Sequence, residues 1–284
     1  MERGTNILLS AILALVVLNG VVWQILFAAT YGSTLSVIFL NVGQGDAIFI
    51  QAPSGVQVLI DGGPDRSVLR ELGSVMPWWD RTIDVVIATH PDADHVSGLV
   101  DVLERYRVSY ILEPGVQADT PQAQSFLKTV ANEDAVYMHA RRGQEINLGD
   151  GATLKILFPD RDVSNLETNT ASIVARLVYG ETSFLLTGDS PDSIEKYIVQ
   201  LDGRELASNV LKAGHHGSKT SSSLLFVGFV NPEYAVFSRG CDNTYGHPHE
   251  DVVAVFNRFE TKILDTCIDG RVTFVSDGQN LTLE

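Results

Sequence analysis

Two histidines and two carboxylates crowd into one turn at His90-Pro91-Asp92-Ala93-Asp94-His95, directly after the β-branched run 84–88. Imidazole nitrogen and carboxylate oxygen are the ligands that zinc, manganese and iron accept, and a turn at a strand end lets several such side chains converge on one point. Three further motifs also stand at predicted strand exits. Thr187-Gly188-Asp189 follows an apolar run, and Asp189 reads equally as a bridging ligand or as an N-cap, since Ser190-Pro191 opens the next helix. His215-His216-Gly217-Ser218 follows residues 209–212, and Tyr245-Gly246-His247-Pro248-His249 precedes a helical pattern at 252–259, so that His249 is also a candidate cap. Of seven histidines only His139 lies outside these clusters, and no role is expected of it.

The elements that must position these groups follow from the hydrophobic pattern. Short runs at 35–40, 47–51 and 57–60, broken by Gly, Pro and Ser, predict an opening meander of strands. From residue 84 onward, strand-like runs at 85–88, 110–112 and 136–138 alternate with helical patterns at 96–105 and 122–131, which is the mark of an α/β protein. A second run of strands at 153–158, 173–179 and 183–186 predicts a mixed sheet. Gly43-Gln44-Gly45-Asp46 and Asp61-Gly62-Gly63 read as tight turns beneath the site, and the former lacks the helix that a dinucleotide fingerprint requires.

The 284 residues carry a formal net charge of -15, which opposes broad attraction to nucleic acid and leaves only local contacts. Lys212, Lys219 and Arg239, close to the site motifs in sequence, are candidates for phosphate contact or are solvated charges. Residues 7–29, from Ile7 to Ala29, form an almost unbroken apolar run behind Arg3, long enough for the ~20 residues that span a bilayer. Residues 1–33 are therefore expected to be a single-pass anchor and 34–284 one domain on the extracytoplasmic side of the cell membrane, by the positive-inside bias. A cleaved signal peptide is the alternative. Trp78 and Trp79 are expected in core or helix packing. Cys241 and Cys267 permit one disulfide or two free thiols.

With these motifs in hand, residues 35–276 resemble the metallo-β-lactamase superfamily, and specifically the hydrolase domain of ComEC-type competence proteins. The likeness runs through VGQGDA at Val42 to Ala47, IDGG at Ile60 to Gly63, THPDADH at Thr89 to His95, Asn169 to Ser172, LLTGD ending at Asp189, GHHGS from Gly214 and YGHPH from Tyr245. It implies an α/β fold, an αββα sandwich, with two divalent metal ions, zinc or manganese, at one edge of the sheets. Carried over by motif, His90 and Asp92 face one metal, Asp94 and His95 the other, Asp189 bridges them, and His215 or His216, with preference for His216, completes the set. The resemblance implies Asp61 as support for the metal loop, His247 and Asp94 as catalytic groups, His247 acting as general acid or phosphate contact, and Ser218, Asn169 and Tyr245 near the substrate.

Two departures matter. Asp92 stands where many relatives have His, and the third histidine usually given to the first metal is absent, with Asn169 or Ser172 near its place, so that metal is expected to bind weakly. ComEC-type proteins also carry a multi-helix channel domain, so transport is expected to need a separate channel protein. The function implied is a membrane-anchored metal-dependent phosphodiesterase, a nuclease acting on DNA in uptake or competence. Its alternatives are a hydrolase of a cell-envelope phosphoester or other small ester, and a non-catalytic module that binds DNA or a partner.

Overall fold

The computed structural model describes the backbone of residues 2–31 and 34–284, and the side chains of residues 7–23 and 34–284. Helix α1 (Glu2–Tyr31) leads into three strands, β1 (Leu35–Phe39), β2 (Ile48–Gln51) and β3 (Gln57–Ile60). Next come α2 (Ser67–Val75), β4 (Thr82–Ile87), α3 (Ala93–Leu103), β5 (Arg107–Glu113), α4 (Pro121–Val130) and β6 (Val136–His139). The meander β7 (Glu145–Gly149), β8 (Ala152–Phe158), β9 (Val174–Tyr179) and β10 (Thr182–Leu186) follows, then α5 (Asp192–Asp202), β11 (Val210–Lys212), α6 (Leu224–Val230) and β12 (Tyr234–Phe237). The chain closes with α7 (Glu250–Arg258), β13 (Lys262–Asp265), the short α8 (Thr266–Asp269), β14 (Val272–Ser276) and β15 (Leu281–Leu283).

Two sheets result, ordered β15-β14-β1-β2-β3-β4-β5-β6 and β13-β12-β11-β10-β9-β8-β7. Each changes character once. In the first, pairing is antiparallel up to β3 and parallel from β3–β4 onward; in the second it is antiparallel from β7 to β10 and parallel from β10–β11 onward. Parallel strands need crossovers, and the helices that make them cover the outer faces. Three apolar clusters therefore separate four layers, the αββα order expected from the resemblance. One lies between the sheets and includes Val37, Phe39, Phe184 and Phe274; one lies beneath α2, α3 and α4; one lies beneath α5, α6 and α7. Phe274 carries the inter-sheet seam, with its ring edge-on to Phe39, Phe184 and Tyr234 at 6.2, 5.9 and 5.3 Å, so Phe274→Ala costs about 3–5 kcal/mol.

Three expectations can be set against the structure, and one of them, the packing of the tryptophans, is corrected. Among the described residues no helix is long and apolar enough to cross a membrane. Residues 24–29 of the expected anchor, and Gly32 and Ser33 after it, lie outside the described side chains. Trp78 and Trp79 are 78% and 58% exposed on the loop before β4, packed edge-on against each other and not in a core. Finally, Cys241 and Cys267 form a disulfide, tying the loop after β12 to α8 across a Cα–Cα distance of 5.0 Å.

Candidate metal centre

The site sits where both sheets switch from antiparallel to parallel, at the carboxyl ends of β3, β4, β10, β11 and β12. That is the place where open α/β sheets leave a crevice, because successive crossovers part there. Asp61 follows β3, His90 follows β4, Asp189 follows β10 and His216 follows β11. Close backbone approach makes the geometry possible: a Cβ on Gly98 would meet the Gly62 carbonyl oxygen at 1.9 Å, so only glycine lets the first turns of α3 settle against the end of β3. The Gly62 amide then donates to the His95 carbonyl at 2.8 Å, and His95 is fixed beside Asp61.

Three histidines, His90, His95 and His216, are buried with 0, 0 and 1% exposure. Each has its Nδ1 tied down. His95 Nδ1 donates to Asp61 Oδ2 at 2.8 Å, His216 Nδ1 donates to the Ser238 carbonyl at 2.7 Å, and His90 Nδ1 lies 3.0 Å from Thr89 Oγ1. Thr89 in turn donates from N and Oγ1 to the two oxygens of Asp61, both at 2.7 Å. Consequently all three Nε2 atoms turn inward, and all three are buried without a hydrogen-bond partner. An orphaned buried nitrogen costs roughly 1–3 kcal/mol, and three of them aimed at one place is an arrangement that a cation would satisfy.

Asp189 is the carboxylate they face. Its Oδ2 lies 3.4 Å from His95 Nε2, 3.3 Å from His216 Nε2 and 3.7 Å from His215 Nε2. It caps no helix: Pro191 is the N-cap of α5 and Asp189 points into the rim. Asp94 Oδ2 lies 3.3 Å from His216 Nε2, and Asp92 Oδ2 lies 3.7 Å from His90 Nε2. Ligand atoms of His90, His95 and Asp189, and of Asp94, His95 and His216, each fall within 4.8 Å of one another, so both sets could hold a divalent ion. The second set, with Asp189, is the fuller. Asp92 is 37% exposed and adds one oxygen at the edge of the first.

Burial alone would favour neutral groups throughout, and it keeps His90 well below the usual imidazole range. At His95 and His216 the carboxylates outweigh burial, Asp189 foremost, and both stand well above that range. Asp189 is held well below the usual carboxylate range against its own burial by His216, His95 and Lys212. Asp61 is raised by its own burial, which outweighs the charge of His95 beside it.

His215 and His216 both adopt left-handed backbone, φ 48° and 55°, which is unusual for a residue with a side chain. The turn is held from outside: buried Glu195 of α5 accepts from the Ser223 amide at 2.8 Å, and Ser221 Oγ donates to the Ser190 carbonyl at 2.8 Å. His215 stays partly exposed, whereas His216 is the member of the pair inside the cluster. His247 is 9% exposed, with its ring 5.8 Å from that of His215, and exposed Tyr245 stacks on it at 5.5 Å. His249 occupies the N-cap position of α7 without making a side-chain cap. Asn169 has a buried, unpartnered Oδ1, while the Ser218 hydroxyl is engaged by Thr220 at 3.0 Å. His139 pairs with Glu113 at 3.0 Å, apart from the rim cluster.

Two rim residues were not expected as part of the centre. Asp46 is 2% exposed, and Lys212, suggested as a phosphate contact, is fully buried with its ammonium 2.6 Å from Asp46 Oδ2. Arg239 is likewise committed, its Nε donating to Asp265 at 2.7 Å, which leaves exposed Lys219 as the one of the three cations free to meet a phosphate. The sequence signals for Asp46 and Lys212 were their positions at strand ends beside the other motifs; nothing marked Glu195.

The sequence profile of the metallo-beta-lactamase superfamily matches residues 40–240. ComE operon protein 3 of Bacillus subtilis is 27% identical over 92% of this chain and 36% of its own length. Competence protein ComA of Neisseria gonorrhoeae is 31% identical over 84% of this chain and 32% of its own. The chain thus spans about a third of the length of the curated relatives it matches. Among solved structures, the metallo-beta-lactamase fold protein YhfI of Bacillus subtilis superposes with a TM-score of 0.54 at 13% identity, covering 82% of this chain and 96% of that one.

Proposed function

This chain belongs to the metallo-β-lactamase superfamily, and on that premise we propose that residues 34–284 form a metal-dependent phosphodiesterase domain that cleaves DNA during uptake. The observation that carries the reading is the convergence of three buried, unpartnered Nε2 atoms on one place, those of His95 and His216 at 3.4 and 3.3 Å from Asp189 Oδ2 and His90 within 4.8 Å of the same ligand set. Divalent ions bound there would lower the pKa of a water and neutralise charge on a phosphoryl oxygen. His90, Asp92 and Asp189 would hold one ion, and Asp94, His95, Asp189 and His216 the other. Asp61 and the Ser238 carbonyl keep the imidazoles turned with Nε2 inward. His247 stands beside the cluster, and burial, with His216 and His215, lowers its pKa to about 4. A group so lowered is neutral near pH 7, which argues for hydrogen bonding to phosphate rather than the general-acid role. Asn169 Oδ1 and Tyr245 complete the group available to a substrate.

The context of DNA uptake is supported by relatives named as competence proteins, and a separate channel protein is the partner it would require. We further propose that α1 anchors the domain to the cell membrane on its outer side. Ile7, Leu8, Leu9, Leu13 and Trp23 are all at least 59% exposed, leaving an apolar surface that water disfavours. The Cys241–Cys267 disulfide suits an oxidising compartment. A second reading, hydrolysis of a small envelope phosphoester, is favoured by the net charge of -15, which repels a long polyanion.

The test is metal content of the purified chain together with manganese- or zinc-dependent cleavage of single-stranded DNA and of bis-p-nitrophenyl phosphate. Bound metal and cleavage of both substrates is the expected result. Cleavage of the small ester alone selects the envelope substrate. A metal-free, inactive protein leaves only a binding module.

A further inference from the structure

The metal centre leaves one buried group without a task. Lys212 ends β11 with 0% exposure, and its ammonium lies 2.6 Å from Asp46 Oδ2, 2.8 Å from the Gly188 carbonyl and 3.3 Å from Asp189 Oδ1. An ammonium has three protons, so these acceptors use all of them and none remains for a substrate. Its surroundings are those of a cation site. Asp46, Asp189 and His216 bring ligand atoms within 4.8 Å of one another. Asp46 Oδ1 is buried with no hydrogen-bond partner, 3.5 Å from His216 Nδ1.

Resting on the metal-centre reading above, we propose that the Lys212 ammonium is a resident cation of this centre, occupying a third cation position between Asp46 and Asp189. Two consequences follow from charge. Asp46, Asp61 and Asp189 are all at most 3% exposed, and buried carboxylates left without a counter-charge are strongly destabilising. The ammonium therefore lets the rim fold before any metal arrives. It also caps the number of divalent ions the rim takes, because the position beside Asp46 is already filled. Lys212 is a positioning residue: it holds Asp189 Oδ1, which leaves Oδ2 turned to His95 and His216.

Lys212→Met tests this, since Met reproduces the stem as far as Cε and removes the ammonium. The full chain is stripped with chelator, followed by thermal melting, and then titrated with Mn2+, bound ions being counted by calorimetry and electron paramagnetic resonance. The variant is expected to lose stability when metal-free, to regain it with Mn2+, and to bind one ion more per chain than the parent. Asp46→Asn combined with Lys212→Met removes a carboxylate charge along with the ammonium, and should restore both the metal-free melting and the parental ion count.

Equal ion counts in Lys212→Met and the parent overturn the proposal, as does a double variant that melts no higher than the single one. Should Lys212→Met not fold even with Mn2+, the double variant decides: folded without metal it supports the resident cation, unfolded it overturns it. A parent that binds neither Mn2+ nor Zn2+ sinks the metal-centre reading instead. An ion gained by Lys212→Met over such a parent still supports the resident cation, and none gained removes it.

Discussion

The two sheets build their halves of the centre by different means. The first sheet sets Asp61 under His90 and His95 by direct hydrogen bonds, from the Thr89 amide and hydroxyl and from the His95 ring, of which only the ring carries charge in the metal-free protein. The second sheet sets Asp189 through a buried ammonium and two histidines that its own charge holds protonated in the metal-free protein. One half is therefore a hydrogen-bonded frame and the other a charge cluster. Geometry in a frame degrades gradually when a bond is lost, whereas a charge cluster depends on every member because each buried charge has few alternatives.

Asp189→Asn strikes the charge cluster and should have the largest effect. It removes the shared negative oxygen that His95, His216 and His215 face, so bound metal should be lost and hydrolysis of bis-p-nitrophenyl phosphate should fall by roughly three orders of magnitude. Metal retained with a rate within about tenfold of the parent would erase the contrast between the halves.

Asp61→Asn strikes the frame. An amide keeps one acceptor but cannot serve both Thr89 and His95, so metal affinity should drop by about 10–100-fold with metal still bound at saturation. Isothermal titration with Mn2+ measures this, and a complete loss of binding would show that the frame is as charge-dependent as its counterpart.

The comparison sharpens with pH. His95 and His216 are raised above 6.5 in the metal-free fold, so the stability they contribute is fully present below that value and disappears as pH rises through their folded values. Metal must displace those protons, so its affinity should increase over the same range. Metal-free melting that does not decline with rising pH would contradict the charge-cluster account. The smallest effect is expected from His139→Ala: it breaks a half-exposed pair with Glu113, worth no more than about 1 kcal/mol, and metal binding should not change.

Much of the fold was readable because apolar runs and crossover helices follow local rules. The meander from β8 to β10 was visible within a residue, and the strand–helix alternation from β4 to β6 within three. Helix α2 was missed because its nine residues include Gly73 and lack a side-chain cap, and the short hairpin of β14 and β15 was missed because its place in the sheet is fixed only by the pairing of β14 with distant β1. In the rim, the THPDADH, TGD and GHHGS motifs betrayed themselves by residue type. Lys212 and Asp46 did not, since a lysine ending a strand and an Asp in a glycine turn look like surface, and only the closure of two sheets buries them. The tryptophan pair failed in the opposite sense, a local apolar signal that tertiary structure leaves uncovered.

The polarity of β1 reaches beyond the centre. The strand starts at Leu35, opposite Ser276, and ends at Phe39, from which the chain turns through Asp46 at the metal rim. Leu35 and the loop of Trp78 and Trp79 thus lie at the pole farthest from the histidines. Whatever holds the amino-terminal end, a bilayer, a fusion partner or a surface on a sensor chip, grips the molecule by its base and leaves the mouth facing outward to arriving substrate.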